Sequence, residues 1–407
     1  MKRVIAIIPA FIVITLLFLR LYYAHRAEVS IREAWRRGRE SGLLLNTITR
    51  REGTPGHVEG LASYGAALSL MPSGAAIDFS CIPSTEDLLE RPQGALLDEE
   101  TKKIVSLCSE NYHRSIELLE QVSENPLEYE LSLFLLCDVD MRKRGIDPLG
   151  LDCSSRSLPG VWSLYSLSRA RALLNLDAGS SEEALRSCRS ALAVLNYYLY
   201  HRSLESESLR QRALIGLANT VALILRRGDP SIGAMEDTLS AFMRVPYWRA
   251  VLAAVQATCY DDLVGVFEAR KSNFLSRPFH TLEQARYLKH MTHCYEGLLR
   301  LRAEAKEGKP WAGKMKELLS GFYLDGYLEK SVEAKIAIDL ICLELAVSIN
   351  EQSIQGRAQD TLAAGLRRDP WSNAPYEELK NGCNHSYRSI GSGGEGLHLP
   401  IDSGDGF

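Results

Sequence analysis

SVEAKIAIDLICLELAVSIN, residues 331–350, is apolar on nearly every side. Ile336, Ala337, Ile338, Leu340, Ile341, Leu343, Leu345 and Val347 leave no polar face wide enough for a surface helix. Such a helix belongs at the centre of a bundle. Asp339 and Glu344 interrupt the run, and central charges are expensive in lipid, so it does not read as a membrane span. The fold expected around it is all-α, an irregular helical bundle or α-solenoid.

The flanking sequence agrees. Residues 98–123 carry Ile104, Leu107, Cys108, Ile116, Leu118 and Leu119 close to helical spacing. Further helices are expected over 127–141, 161–176, 180–200, 204–225, 232–243, 248–271 and 281–306. Ser180-x-x-Glu183 and Thr281-x-x-Gln284 read as capping boxes. Arg226-Arg227-Gly228-Asp229-Pro230 is a helix stop, with cations in the last turn, glycine past it and proline beyond. Residues 60–70 read as a short helix and residues 75–83 as the only early strand-like stretch. No fixed internal period and no tetratricopeptide signature is present.

The other decisive stretch is VIAIIPAFIVITLLFLRLYYA, residues 4–24, behind Met1-Lys2-Arg3. It reaches the ~20 apolar residues of a spanning helix if Arg20 snorkels to the interface. Tyr22 and Tyr23 suit an interfacial aromatic belt. The favoured reading is an uncleaved anchor; the alternatives are a cleaved signal and a buried core helix. Tyr22-Tyr23-Ala24 is a poor small-x-small cleavage site. A charged, arginine-rich helix continues over residues 30–49. Its Arg32, Arg36, Arg37 and Arg39 suit anionic headgroups. Lys2 and Arg3 compete with these arginines in setting orientation, so charge alone leaves topology open.

Across 407 residues the net charge is −4, which argues against a general nucleic-acid binder. The nine cysteines, Cys81, Cys108, Cys137, Cys153, Cys188, Cys259, Cys294, Cys342 and Cys383, never form C-x-x-C. Neither a zinc ribbon nor a dense disulfide scaffold follows.

The tail has a different texture. Asp369-Pro370-Trp371, Pro375-Tyr376 and Tyr387-Arg388-Ser389-Ile390-Gly391-Ser392-Gly393-Gly394 resemble the C-terminal hairpin of type II secretion major pseudopilins. The chain as a whole resembles a group of bacterial envelope-anchored helical proteins with that tail. The resemblance implies a proline-fixed turn, a two-strand ribbon with Asn381-Gly382 as its turn, and a place in the cell envelope. It departs from the pseudopilins at the N-terminus, which lacks the prepilin glycine-cleavage pattern and its following glutamate. It departs again at Ser392-Gly393-Gly394-Glu395-Gly396, where calcium-binding aspartates are missing. The expected tail is a hairpin cap docked by Trp371 and Tyr376, with no calcium.

Chemistry is harder to find. His290 and Cys294 are spaced i,i+4 with His293 beside them, but no further metal ligand stands nearby. Asp261-Asp262 and Glu268 can be read as paired carboxylates. Asp339 and Glu344 draw more interest, since a buried carboxylate needs a partner and a shifted pKa marks functional sites. No Gly-rich phosphate loop, G-x-S-x-G or H-E-x-x-H occurs. The sequence therefore nominates no catalytic, cofactor-binding or metal residue. The organisation expected is an anchor at 1–28, an N-terminal helical region at 29–142, a linker at 143–159, a helical body at 160–365, the hairpin tail at 366–396 and a flexible end at 397–407. The expected role is a non-enzymatic structural or interaction module on the inner membrane. Its body would be periplasmic and its partners lipid and other envelope proteins, with no nucleic acid. The alternatives are an envelope hydrolase with an unrecognised carboxylate site and a cytoplasm-facing anchored scaffold.

Overall fold

The structure, a computed structural model, describes residues 2–44, 67, 70, 88, 94–124, 158–197, 204–263, 276–321, 326, 330–352, 368–381, 384–389 and 397–399. The expectations for residues 75–83, 127–141 and 391–396 lie outside these, as do nearly all of the expected helix over 60–70 and most of the 143–159 linker. The described chain is mostly helical, as the sequence predicts. It divides into two compact units, 1–48 with 255–300, and 49–254 with 301–407.

In the first unit α1 runs unbroken over Lys2–Glu40. Its second half packs on α9, Arg277–Lys306. Tyr23 meets Phe279 at 5.3 Å, Lys289 bonds Glu33 at 3.2 Å, and Arg37 bonds Glu296 at 2.8 Å. Partner numbers rise together along both helices, so the two run parallel. Ala27 and Ala34 are fully covered, a small-residue seam that lets the helix backbones approach. Gly42 ends α1 at φ +82°, the left-handed conformation that suits glycine past a helix end, and Leu44 N–H returns to the Gly38 carbonyl. Among the described residues no helix is long and apolar enough to cross a membrane; the side chains of residues 2–13 lie outside that description.

The second unit holds α2 (Glu99–Asn111), α3 (His113–Glu124), α4 (Leu158–Asp177), α5 (Ser181–Tyr197), α6 (Leu204–Arg227), α7 (Ile232–Met243), α10 (Ala312–Gly321) and α11 (Ser331–Gln352). It also takes part of α9 and the first half of α8, Tyr247–Asp261. α6 and α11 pack together at its centre, with α4, α5 and α7 around them. Both central helices are buried over most of their length. Asp98 caps α2 by accepting from Thr101 N–H at 2.7 Å, and Ser231 caps α7. α6 stops where the sequence places its stop. Gly228 is required there, because a Cβ would stand 2.2 Å from the Ser181 hydroxyl.

Several helix boundaries differ from the sequence reading. The arginine-rich helix expected over residues 30–49 ends at Glu40, and α10 stands where no helix was expected. Residues 98–123 form two helices, broken at Tyr112, where the weak helix formers Asn111, Tyr112 and His113 follow one another. α8 ends at Asp261 rather than continuing to 271. Thr281 is not a cap: α9 begins at Arg277, Ser276 accepts the first backbone bonds, and the Thr281 hydroxyl bonds back to Arg277 O. Pro278 in the first turn is the start signal that was overlooked.

β1 (Glu377–Asn381), β2 (Asn384–Ser389) and β3 (Leu397–His398) form an antiparallel sheet in the order β1-β2-β3. Asn381 pairs with Asn384, so residues 382–383 connect the strands, one position later than the expected Asn381-Gly382 turn. The sheet packs on α11 through β2 and β3.

Candidate functional site

Pro370 sits in a closed turn, and its carbonyl is the reason the turn docks. The N–H groups of Trp311 and Ala312, among those a helix start leaves without internal partners, both donate to Pro370 O at 2.9 and 3.1 Å. The turn closes itself through Asp369 N–H to Ala374 O and Asn373 N–H to Asp369 O, with Asn373 at φ 58°. Asp369 is 1% exposed, and its carboxylate accepts from Trp371 N–H, Ser372 Oγ and, at 2.9 Å, Ser389 Oγ of β2. Losing three such bonds at about 1 kcal/mol each predicts that Asp369→Ala costs about 2–3 kcal/mol. Thermal unfolding of the full chain checks this; an unchanged melting temperature would show that the turn is held by packing alone.

From this turn a concavity opens in the second unit, about 560 Å³ in volume. Trp248 and Trp311 form one wall, stacked edge-on at 4.8 Å. Residues 305–309 at the end of α9 form another, with Gly308 at φ +71° beside Asn373. Lys335 and Asp339 of α11 line the floor, and Arg368, Asp369, Pro370 and Asn373 close it. The volume lies within the ~300–1,000 Å³ typical of small-molecule sites.

Asp339 is buried, as its place in the apolar run predicts, and Lys335 and Tyr376 are among its partners. Lys335 pairs with it one helical turn back, and the Tyr376 hydroxyl donates at 3.3 Å. Glu344 is also buried but does not line the concavity. Burial pushes its carboxyl up to about 7, against the pull of Arg226 at 3.8 Å. The two carboxylates lie five residues apart on one helix and do not converge on a common cleft.

His290 and His293 are exposed while Cys294 is buried. Desolvation holds the Cys294 thiol at about 12, which disfavours a thiolate ligand. Burial, then His293, lowers the pKa of His290. Among the described residues no group of three or more His, Cys, Asp or Glu is placed to hold a metal. Asp262 accepts from the Tyr287 hydroxyl, whereas Glu268 and the Asp261 side chain lie outside the described residues. Cys188, Cys259, Cys294 and Cys342 are buried free thiols and Cys108 is half-buried. Trp248, Trp311 and Arg368 were missed by the sequence reading. Their only local signal is two tryptophans close to helix starts, one of them behind Pro310.

A second surface stands in the first unit. Ile14, Leu16, Leu17, Phe18, Leu19, Leu21 and Tyr22 of α1 are all exposed, Phe18 by 74%. Arg32, Arg36 and Arg39 follow on the same helix, with Arg32 and Arg36 in exposed pairs with Glu28 and Glu40. No protein-family model, curated protein or solved structure matches the chain.

Proposed function

We propose that this is a membrane-anchored helical protein of the bacterial cell envelope that acts as a structural or interaction module, with its body on the periplasmic side of the inner membrane. The observation that carries the reading is the exposed apolar half of α1, residues 14–22, continuous with a charged half that is fastened to α9. Exposed apolar area on this scale marks an interaction surface. Its helical form satisfies the backbone internally, which lipid demands. Tyr22 and Tyr23, then Arg26 and Arg32, follow in the order of an interface belt and headgroup contacts. The tail completes the module as a small antiparallel cap, in which a third strand, β3, is added to the two-strand ribbon of the pseudopilin hairpin, and Asp369 clasps it.

Carbonate extraction and flotation with anionic liposomes test the reading. The full-length chain is expected to stay with the membrane and to float, and Leu17→Glu with Phe18→Glu to release it. A chain that remains in solution as a dimer through these residues would overturn the anchor. Protease accessibility in spheroplasts then tests the side: a body protected after the outer membrane is opened would overturn the periplasmic placement.

A further inference from the structure

We infer that the concavity beside the Asp369 turn binds an acidic saccharide, with a sugar ring on Trp248 and its anionic group held by Arg368 and Lys306. The inference does not depend on the membrane anchor.

The charge inventory supplies the sign. Four cations line the concavity, Lys306, Lys309, Lys335 and Arg368, with three carboxylates, Glu307, Asp339 and Asp369. All three carboxylates are engaged. Glu307 pairs with Lys309, Asp339 with Lys335 and Tyr376, and Asp369 with two donors of its own turn and the Ser389 hydroxyl of β2. Among the described residues neither Lys306 nor Arg368 has a carboxylate partner; Arg368 gives one N–H to Asn373 O at 3.3 Å. Both are exposed at the rim. The site therefore has a surplus of cation and can accept an anion without displacing an existing pair. A guanidinium offers a fork that fits carboxylate or phosphate.

The wall supplies the shape. Trp248 is half-buried, and Trp311 behind it is only 5% exposed, which fixes the first indole in place. An aromatic face with a polar surround suits a ring that is apolar on its C–H face and hydroxylated at its rim. Apart from Ala305 and Pro370, the rest of the surround is polar, with the Asn373 amide, the backbone around Gly308, Lys335 and Asp339. A flat aromatic ligand would want a largely apolar lining, and this site does not have one.

Titration calorimetry and intrinsic tryptophan fluorescence on the full chain test the inference. The probes are a glucuronate-containing disaccharide, N-acetylneuraminate and glucose 6-phosphate, with maltose and inorganic phosphate as controls. At least one acidic sugar is expected to bind and to quench tryptophan fluorescence, with affinity falling as salt rises. Arg368→Gln, an exposed substitution that leaves the packing intact, is expected to weaken that binding about tenfold, the 1.4 kcal/mol of one charged contact. Trp248→Ala is expected to abolish it, with circular dichroism confirming an intact fold. Equal binding of maltose, binding of phosphate alone that ignores Trp248→Ala, indifference to Arg368→Gln, or no binding by any acidic sugar would each overturn it.

Discussion

Arg210→Met is expected to cost about 3–5 kcal/mol of stability, the penalty for breaking a buried ion pair from one side. Arg210 is 1% exposed and Glu207 3%, joined at 3.1 Å one turn apart on α6. Gln211 adds an amide donor to the same carboxylate at 3.1 Å. Burial pushes the Glu207 carboxyl up, and Arg210 is the largest influence pulling it back. Removing the cation leaves a desolvated acid with the neutral Gln211 amide as its hydrogen-bond donor. The pair as a whole is different. Among the described residues Arg210 Nε and Nη2 and Gln211 Oε1 have no hydrogen-bond partner, so the pair does not recover its full desolvation cost. Glu207→Leu with Arg210→Met is therefore expected to return most of the lost stability or exceed the parent. Urea unfolding of the four proteins in the cycle gives the coupling. A single Arg210→Met costing under about 1 kcal/mol would mean that water reaches the guanidinium.

Glu344→Gln is expected to stabilise the protein by about 2–3 kcal/mol at pH 8 and to be neutral near pH 5. The folded carboxyl titrates at about 7, above its ordinary 4.5, because burial outweighs Arg226. A raised acid binds its proton more tightly in the folded state. Its contribution is complete below the unfolded value and is lost as pH climbs through about 7. Each tenfold gain in proton affinity is worth about 1.4 kcal/mol, and the side chain is nearly dry, so little is lost to screening. Glutamine keeps the shape and removes the titration. Carboxylates held low, such as Glu296 beside Arg37, respond in the opposite direction at lower pH. The difference between parent and variant midpoints, measured from about pH 4.5 to 8, isolates Glu344. A variant less stable than the parent at pH 8 would show that the Arg226 attraction outweighs burial.

These two groups mark what the sequence could reveal. The centre of the bundle was legible in residues 331–350, because an all-round apolar helix has nowhere else to go, and the burial of Asp339 and Glu344 came with it. The end of α6 was legible because cations, glycine and proline act within a few residues. The burial of Glu207 and Arg210 was not. LESESLRQ reads as a solvated first turn, and what covers it is packing from distant parts of the chain. The concavity was hidden for the same reason: Trp248, Lys335 and Arg368 come from three separate segments, and only the fold brings them together. Thr281 misled because its spacing to Gln284 imitates a cap that Ser276 and Pro278 supply one turn earlier.

The Pro370 carbonyl that satisfies the start of α10 sets an order of events during synthesis. The N–H groups of Trp311 and Ala312 are made well before the residue that receives them. The same holds for Asp339, whose hydroxyl partner is Tyr376. While the ribosome is still adding residues 340–376, α10 stands without its acceptor and the floor of the concavity without its Tyr376 bond. This corner of the body can be finished only after the tail has left the exit tunnel, and a chain that ends before Pro370 leaves the N–H groups at the start of α10 without their acceptor, far upstream of the break.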